Sequence, residues 1–392
     1  MIHDFDAPVP RIGTACEKWD GAAAYFGRAD LTPLWVADMD FAAPPEVTAA
    51  LTARAQHPVY GYTFATEEVY ESLIVWLKNR HGWRVEREWV LLAPGVVPSI
   101  HAVIQAFTTV DEAVIVQPPV FAPFFKAVAT LDRRLLENPL RLERGRYRMN
   151  FEHLEQCAAQ GAKLLLLCSP HNPVGRVWQT DELEEVLRIA RQYRMIVFAD
   201  EIHADLVYPG FRHIPLASLA DSQGSVITGV APSKTFNIPG LGLSVLIIPD
   251  ATQRAKMARI FDRQSAHVAN PFSLAAFAAA YRHGGPWRDE AMQYLRVNRD
   301  AAMRFVEERL PRIEAVAAEG TYLLWLDCRG LRMSDGELHE FFVCKCAVGM
   351  SPGTVFGTGG SGFMRLNLAA PRALLLAALA RIEEQISVYW KD

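Results

Sequence analysis

Short apolar runs alternate with segments of helical spacing between residues 89 and 248. The runs at 89–93, 113–117, 164–168, 195–199, 225–228 and 245–248 are strand-length, and several are apolar throughout. Strands without a polar face belong in a sheet covered by helices on both sides. Residues 98–107 have the length and spacing of a helix between the first two runs. Residues 180–193 predict another, with Thr180 as its cap and Glu182 and Glu184 in the first turns, where a helix favours acidic groups. Upstream, Pro44-Pro45-Glu46 opens a helix to about residue 56, with proline where a helix start tolerates it. Residues 67–81 place Val69, Leu73, Trp76 and Leu77 on one helical face. This alternation predicts an α/β fold with a mostly parallel sheet, whose ligand sits at the carboxyl ends of the strands.

The texture changes near residue 285. A long helix at 287–310, short strands around 322–327 and 363–368, and a final helix at 371–389 predict a smaller second domain. The irregular first 45 residues complete it, so the expected division is 1–45, 46–285 and 286–392, in keeping with a chain of 392 residues. An apolar content of 51% fits a folded protein, and a net charge of −4 offers no footprint for nucleic acid. The longest apolar runs are strand-sized, far below the ~20 residues of a membrane span. The acidic start Met1-Ile2-His3-Asp4-Phe5-Asp6 is not that of a signal peptide. Six scattered cysteines, including the pair Cys344 and Cys346, lack metal-site spacing and read as reduced thiols of a cytoplasmic protein. The basic run 141–148, interrupted by Glu143, reads as a solvated loop or hairpin.

Candidate chemistry gathers at three strand ends. Ala231-Pro232-Ser233-Lys234-Thr235-Phe236-Asn237 follows one strand, and Ala199-Asp200-Glu201-Ile202-His203 closes another. A strand-end carboxylate and a strand-end lysine are what pyridoxal phosphate chemistry requires: the lysine forms a Schiff base with the aldehyde, and the carboxylate keeps the pyridine nitrogen protonated. Alternation along extended chain turns Glu201 away from Asp200. His203 is equally compatible with a hydrogen bond to the cofactor O3′ and with filling the edge of the site. Asn172, in Ser169-Pro170-His171-Asn172-Pro173, ends a third strand and suits an amide donor to O3′. Ala93-Pro94-Gly95-Val96-Val97-Pro98 leads from a strand into a helix, whose free N–H groups suit a phosphate. The glycines of 357–362 precede a strand instead, which argues against a phosphate there. Arg365 offers a fork for a substrate carboxylate, and Phe121 an aromatic face for the pyridine ring. Taken alone, Arg365 is undecided between this role and a surface group, and Phe121 reads as ordinary core packing.

Over nearly its whole length the chain resembles fold-type I pyridoxal phosphate enzymes, and among them the MalY/PatB group of cystathionine β-lyases (C–S lyases). The resemblance rests on the motifs above, on Arg11-Ile12-Gly13-Thr14 with Lys18-Trp19-Asp20, and on Trp35-Val36-Ala37-Asp38-Met39-Asp40-Phe41. Tyr60-Gly61-Tyr62-Thr63, Val174-Gly175-Arg176-Val177-Trp178 and Gly362-Phe363-Met364-Arg365-Leu366-Asn367 extend it. It implies a large domain with a mostly parallel seven-stranded sheet and a smaller C-terminal α/β domain. It implies Lys234 as the Schiff-base lysine, Asp200 as the pyridinium partner and Asn172 as the O3′ donor. Phe121 and His203 join the cofactor site, while Gly95, Val96 and Ser233 serve the phosphate with Val97 beside them. Arg365 anchors the substrate α-carboxylate, with Asn172 and Ala37 lining the substrate. Tyr62 reaches the phosphate of a neighbouring subunit, which implies a homodimer with active sites at its interface.

Two departures stand out. Gly242 occupies the position where many fold-type I aminotransferases carry a phosphate-binding arginine, and Phe121 stands where the group usually has tyrosine. The expected reaction is β-elimination from cystathionine or a related cysteine S-conjugate. An aminotransferase shares its early steps and is the first alternative, although no second arginine for a dicarboxylate side chain is evident. A cofactor-binding regulatory partner protein is the third reading.

Overall fold

The computed structural model describes residues 2–222, 224–264 and 269–389. Seven strands form the main sheet: β1 (Val90–Ala93), β2 (Ala113–Val116), β3 (Arg134–Glu137), β4 (Ala162–Cys168), β5 (Ile196–Asp200), β6 (Val226–Val230) and β7 (Ser244–Ile247). Their spatial order is β1-β7-β6-β5-β4-β2-β3. Only β7 runs against the rest, pairing antiparallel with β1 and β6. The strands at the centre are buried along nearly their whole length, because helices cover both faces. Gly229 in β6 permits this packing, since a Cβ there would come within 2.9 Å of the Phe198 ring.

The register brings the chemistry together. Cys168 at the end of β4 lies opposite Asp200 at the end of β5, and Asp200 lies opposite Gly229 of β6. The loops after β1, β4, β5 and β6 therefore open on one edge of the sheet.

Several boundaries differ from the sequence reading. Strand β3 is not foreseen, because its Arg-Leu-Leu-Glu sequence is charged at both ends and half open at the sheet edge. The helices Phe151–Ala159, Ala251–Arg263 and Pro271–His283 are likewise additional. The helix Thr180–Gln192 is capped by Gln179 rather than Thr180. Gln179 keeps the extended backbone of a cap residue, and its N–H donates to Glu182 Oε2 (2.9 Å), whereas Thr180 is already helical. The basic run is a hairpin, Arg141–Glu143 against Arg146–Arg148.

A second sheet combines β8 (Glu314–Val316), β9 (Leu323–Asp327), β10 (Ser351–Pro352) and β11 (Phe363–Asn367) in the order β8-β9-β11-β10, with every pairing antiparallel. The N-terminal segment packs alongside: Thr32–Pro33 pairs with Val348–Gly349, and Leu34 O accepts the Asn367 N–H (3.0 Å). The helix Gly285–Arg309 bridges the two regions, and Phe5 from the N-terminal segment packs edge-on against its Trp287.

Candidate active site

Asp200 is the last residue of β5 and is 2% exposed. Burial pushes its carboxyl up to about 7, against the opposing pull of the Ile202 N–H and the nearby Lys234 ammonium. The Ile202 N–H donates to Asp200 Oδ1 at 3.2 Å. A buried carboxylate in this state gains most from a cation opposite it. Glu201 points away, accepting from His213 Nε2 (3.0 Å) and the Leu216 N–H (2.8 Å).

Lys234 sits in the turn after β6. Burial pulls its amine down to about 8, with the Arg365 charge acting in the same direction and Asp38 and Asp200 opposing. Its Nζ donates to the carbonyl of Ala37 (2.6 Å). The same carbonyl accepts from the Tyr322 hydroxyl (2.8 Å), a contact between the start of β9 and the site that no motif announces.

Arg365 lies in β11, buried rather than at the surface. It donates through Nη1 to Asn172 Oδ1 (3.0 Å), and through Nη2 to the Trp35 carbonyl (2.8 Å) and Ser351 Oγ (3.1 Å). Asn172 thus spends its amide oxygen on Arg365 and keeps its amide N–H groups for another acceptor. The loop that carries Asn172 turns through Gly175 at φ +71°, and a Cβ there would lie 3.1 Å from Ala318.

These groups enclose a cavity of about 260 Å³. Of the expected residues, Ala37, Gly95, Val96, Val97, Phe121, Asn172, Asp200, His203, Ser233 and Lys234 all line it. Arg365 meets it through Asn172. Tyr62 does not line it and stands fully exposed on a separate loop. Gly95 precedes the helix Val96–Phe107, whose first N–H groups are free of intrahelical partners and lie at the cavity wall. Two buried nitrogens at the site, His203 Nδ1 and Arg365 Nε, have no hydrogen-bond partner among the described residues. Burial pushes the His203 imidazole down to about 3, with Lys234 and Arg365 adding to the shift, so His203 is neutral. A lysine, a carboxylate in need of a cation, an unpaired imidazole and a helix start fit pyridoxal phosphate.

A family model described as aminotransferase class I and II matches residues 29–382. The chain belongs to this family. Within it, this class I and II aminotransferase-family member is 41% identical to the cystathionine beta-lyase PatB of Bacillus subtilis (strain 168), over 98% of its own length and 100% of that protein's. It is 32% identical to the protein MalY of Escherichia coli (strain K12), over 97% of each chain. The crystal structure of cystalysin from Treponema denticola, which contains a pyridoxal 5′-phosphate cofactor, matches with a TM-score of 0.95 and 35% identity over the full length of both chains. These similarities place the family member in the MalY/PatB group.

Proposed function

We propose that this protein is a pyridoxal-phosphate-dependent carbon–sulfur β-lyase. Its substrate is cystathionine or a related cysteine S-conjugate, and its products are a thiol, pyruvate and ammonia. The observation that carries this reading is the meeting of Lys234, Asp200 and the Asn172–Arg365 pair around one cavity, in a chain 41% identical to a cystathionine β-lyase along its length. When bound, pyridoxal phosphate supplies an electron-accepting ring next to the substrate Cα.

The chain's own groups do the rest. Arg365 binds the substrate α-carboxylate through its buried fork, held in place by Asn172, Trp35 and Ser351. Lys234 would hold the cofactor aldehyde and is the base for the Cα proton. An amine held near 8 is partly neutral at physiological pH, as a base must be. Asp200 would keep the ring nitrogen protonated, and the Asn172 amide and His203 imidazole would serve the phenolic oxygen. Gly95, Val96 and Ser233 would hold the phosphate with Val97 beside them, and Phe121 would offer its face to the ring. Loss of the β-thiolate follows, and hydrolysis of the three-carbon remnant gives pyruvate and ammonia.

In this reading residues 46–285 carry the cofactor, and residues 286–392 with 1–45 close the substrate side. Tyr62 serves the phosphate of a neighbouring subunit. It shares its exposed loop with Val59, Tyr60 and Phe64, an apolar surface suited to a homodimer. The six free cysteines agree with a cytoplasmic setting, and no helix among the described residues is long and apolar enough to cross a membrane. The test is product stoichiometry with L-cystathionine: thiol and pyruvate appear in equal amounts with the wild-type holoenzyme and in neither case with Lys234→Ala. Thiol release that persists in the variant would overturn the assignment.

A further inference from the structure

Thr235, next to Lys234, is buried, and its hydroxyl points away from the cavity to Asp205 Oδ2 (3.0 Å). Asp205 does not line the cavity. Its other oxygen, Oδ1, accepts from Trp76 Nε1 (3.0 Å) and His81 Nε2 (2.9 Å), both on the helix Glu67–His81. Its backbone carbonyl accepts from the Arg288 guanidinium (Nε at 2.8 Å). Burial pushes the Asp205 carboxyl up, but His81, Arg288 and Thr235 outweigh it and hold the group down to about 2. A carboxylate with three side-chain donors in a buried setting is a rigid fixture.

The far end of the same turn is gripped as well. The Asn237 side chain accepts from the Met39 N–H (2.9 Å) and donates to the carbonyls of Met39 (2.9 Å) and Phe41 (2.7 Å). Between the two grips, Phe236 is buried edge-on against Trp76 and Tyr281. The lysine amine sits at the end of four flexible methylenes, so the backbone turn decides which carbon it can reach. The charges that act most strongly on Lys234 are those of Arg365, Asp38, Asp200 and Glu17. The direct link from Asp205 to this turn is the Thr235 hydroxyl, one residue from the lysine.

We propose that Asp205 is a positioning residue for the reaction: through Thr235 it fixes the turn from which Lys234 reaches the substrate Cα. This rests on Lys234 being the Schiff-base lysine and base. Thr235→Val keeps the side-chain shape, removes the hydroxyl and leaves Asp205 its bonds to Trp76 and His81. In the holoenzyme, we expect kcat to fall by about tenfold or more, as small misplacements of reacting groups do. KM should stay within about twofold, because substrate binding is untouched. The pH midpoint of the bound cofactor's visible absorption should also move, since the lysine's setting changes. Thr235→Ser, which restores the hydroxyl, should return both readings toward wild type. If Thr235→Val does not fold, Thr235→Ala gives the same comparison. Wild-type kcat and an unmoved midpoint in the valine or alanine variant, or failure of serine to rescue, would overturn the proposal. If that happens while Lys234→Ala remains inactive, the positioning role falls and the lyase reading stands. Turnover by Lys234→Ala would bring down both.

Discussion

Within one cavity, burial moves a lysine down to about 8 and an aspartic acid up to about 7, each toward its uncharged form. For Lys234 the uncharged form is the reactive one. Its pKa is depressed, so the neutral fraction grows as pH rises through about 8, and kcat should climb over that window. A flat profile between pH 7 and 9 would contradict a lysine base. Asp200 must instead be charged to hold a protonated ring nitrogen, and a buried cation opposite it supplies the necessary field. Asp200→Asn removes that charge while keeping the shape, and kcat should fall by about a hundredfold or more while cofactor still binds, as when a preorganised electrostatic group is lost. Absorption of the retained cofactor separates this from simple loss of cofactor. Lys234, Asp200 and Asn172 are legible in the sequence because each ends or closely follows an apolar strand. Tyr322 and Ser351 are not, since nothing local marks them. Nor is the burial of Arg365, which depends on its partners Asn172, Trp35 and Ser351 arriving from distant parts of the chain.

At the scale of elements, Glu319 joins three regions. Its carboxylate accepts from Arg146 Nε of the 141–148 hairpin (2.6 Å), from Arg176 Nε (3.0 Å) and from the Val177 N–H (2.9 Å). Arg176 is almost fully buried and also pairs with Glu182 (2.6 Å). Glu319→Ala leaves this arginine undercompensated, and unfolding in urea should show a loss of roughly 3 kcal/mol, the scale of a broken buried ion pair. An unchanged midpoint would mean that Glu182 alone suffices. Most elements of the main sheet are readable as apolar runs because parallel strands are covered on both faces. The reversed direction of β7 is not readable, because its Ser-Val-Leu-Ile sequence suits either orientation. Strand β3 and the Trp76–His81–Asp205–Thr235 cluster escape for a related reason: pairing at an open edge and contacts between distant segments leave no periodicity in the chain.

For the whole molecule, the exposed loop carrying Val59, Tyr60, Tyr62 and Phe64 is the surface to which the homodimer reading commits. Sedimentation should give twice the chain mass, and Tyr62→Ala should weaken cofactor retention while leaving that mass unchanged. A monomeric, fully active holoenzyme would remove the proposed role of Tyr62. Function itself is tested most directly by following pyruvate from L-cystathionine over many turnovers, with no 2-oxo acid added. A C–S β-lyase sustains pyruvate release throughout, and Lys234→Ala abolishes it. No pyruvate, with conversion of L-cystathionine to its own 2-oxo acid that stops after one equivalent per site and resumes only when another 2-oxo acid is added, would contradict the lyase and identify an aminotransferase.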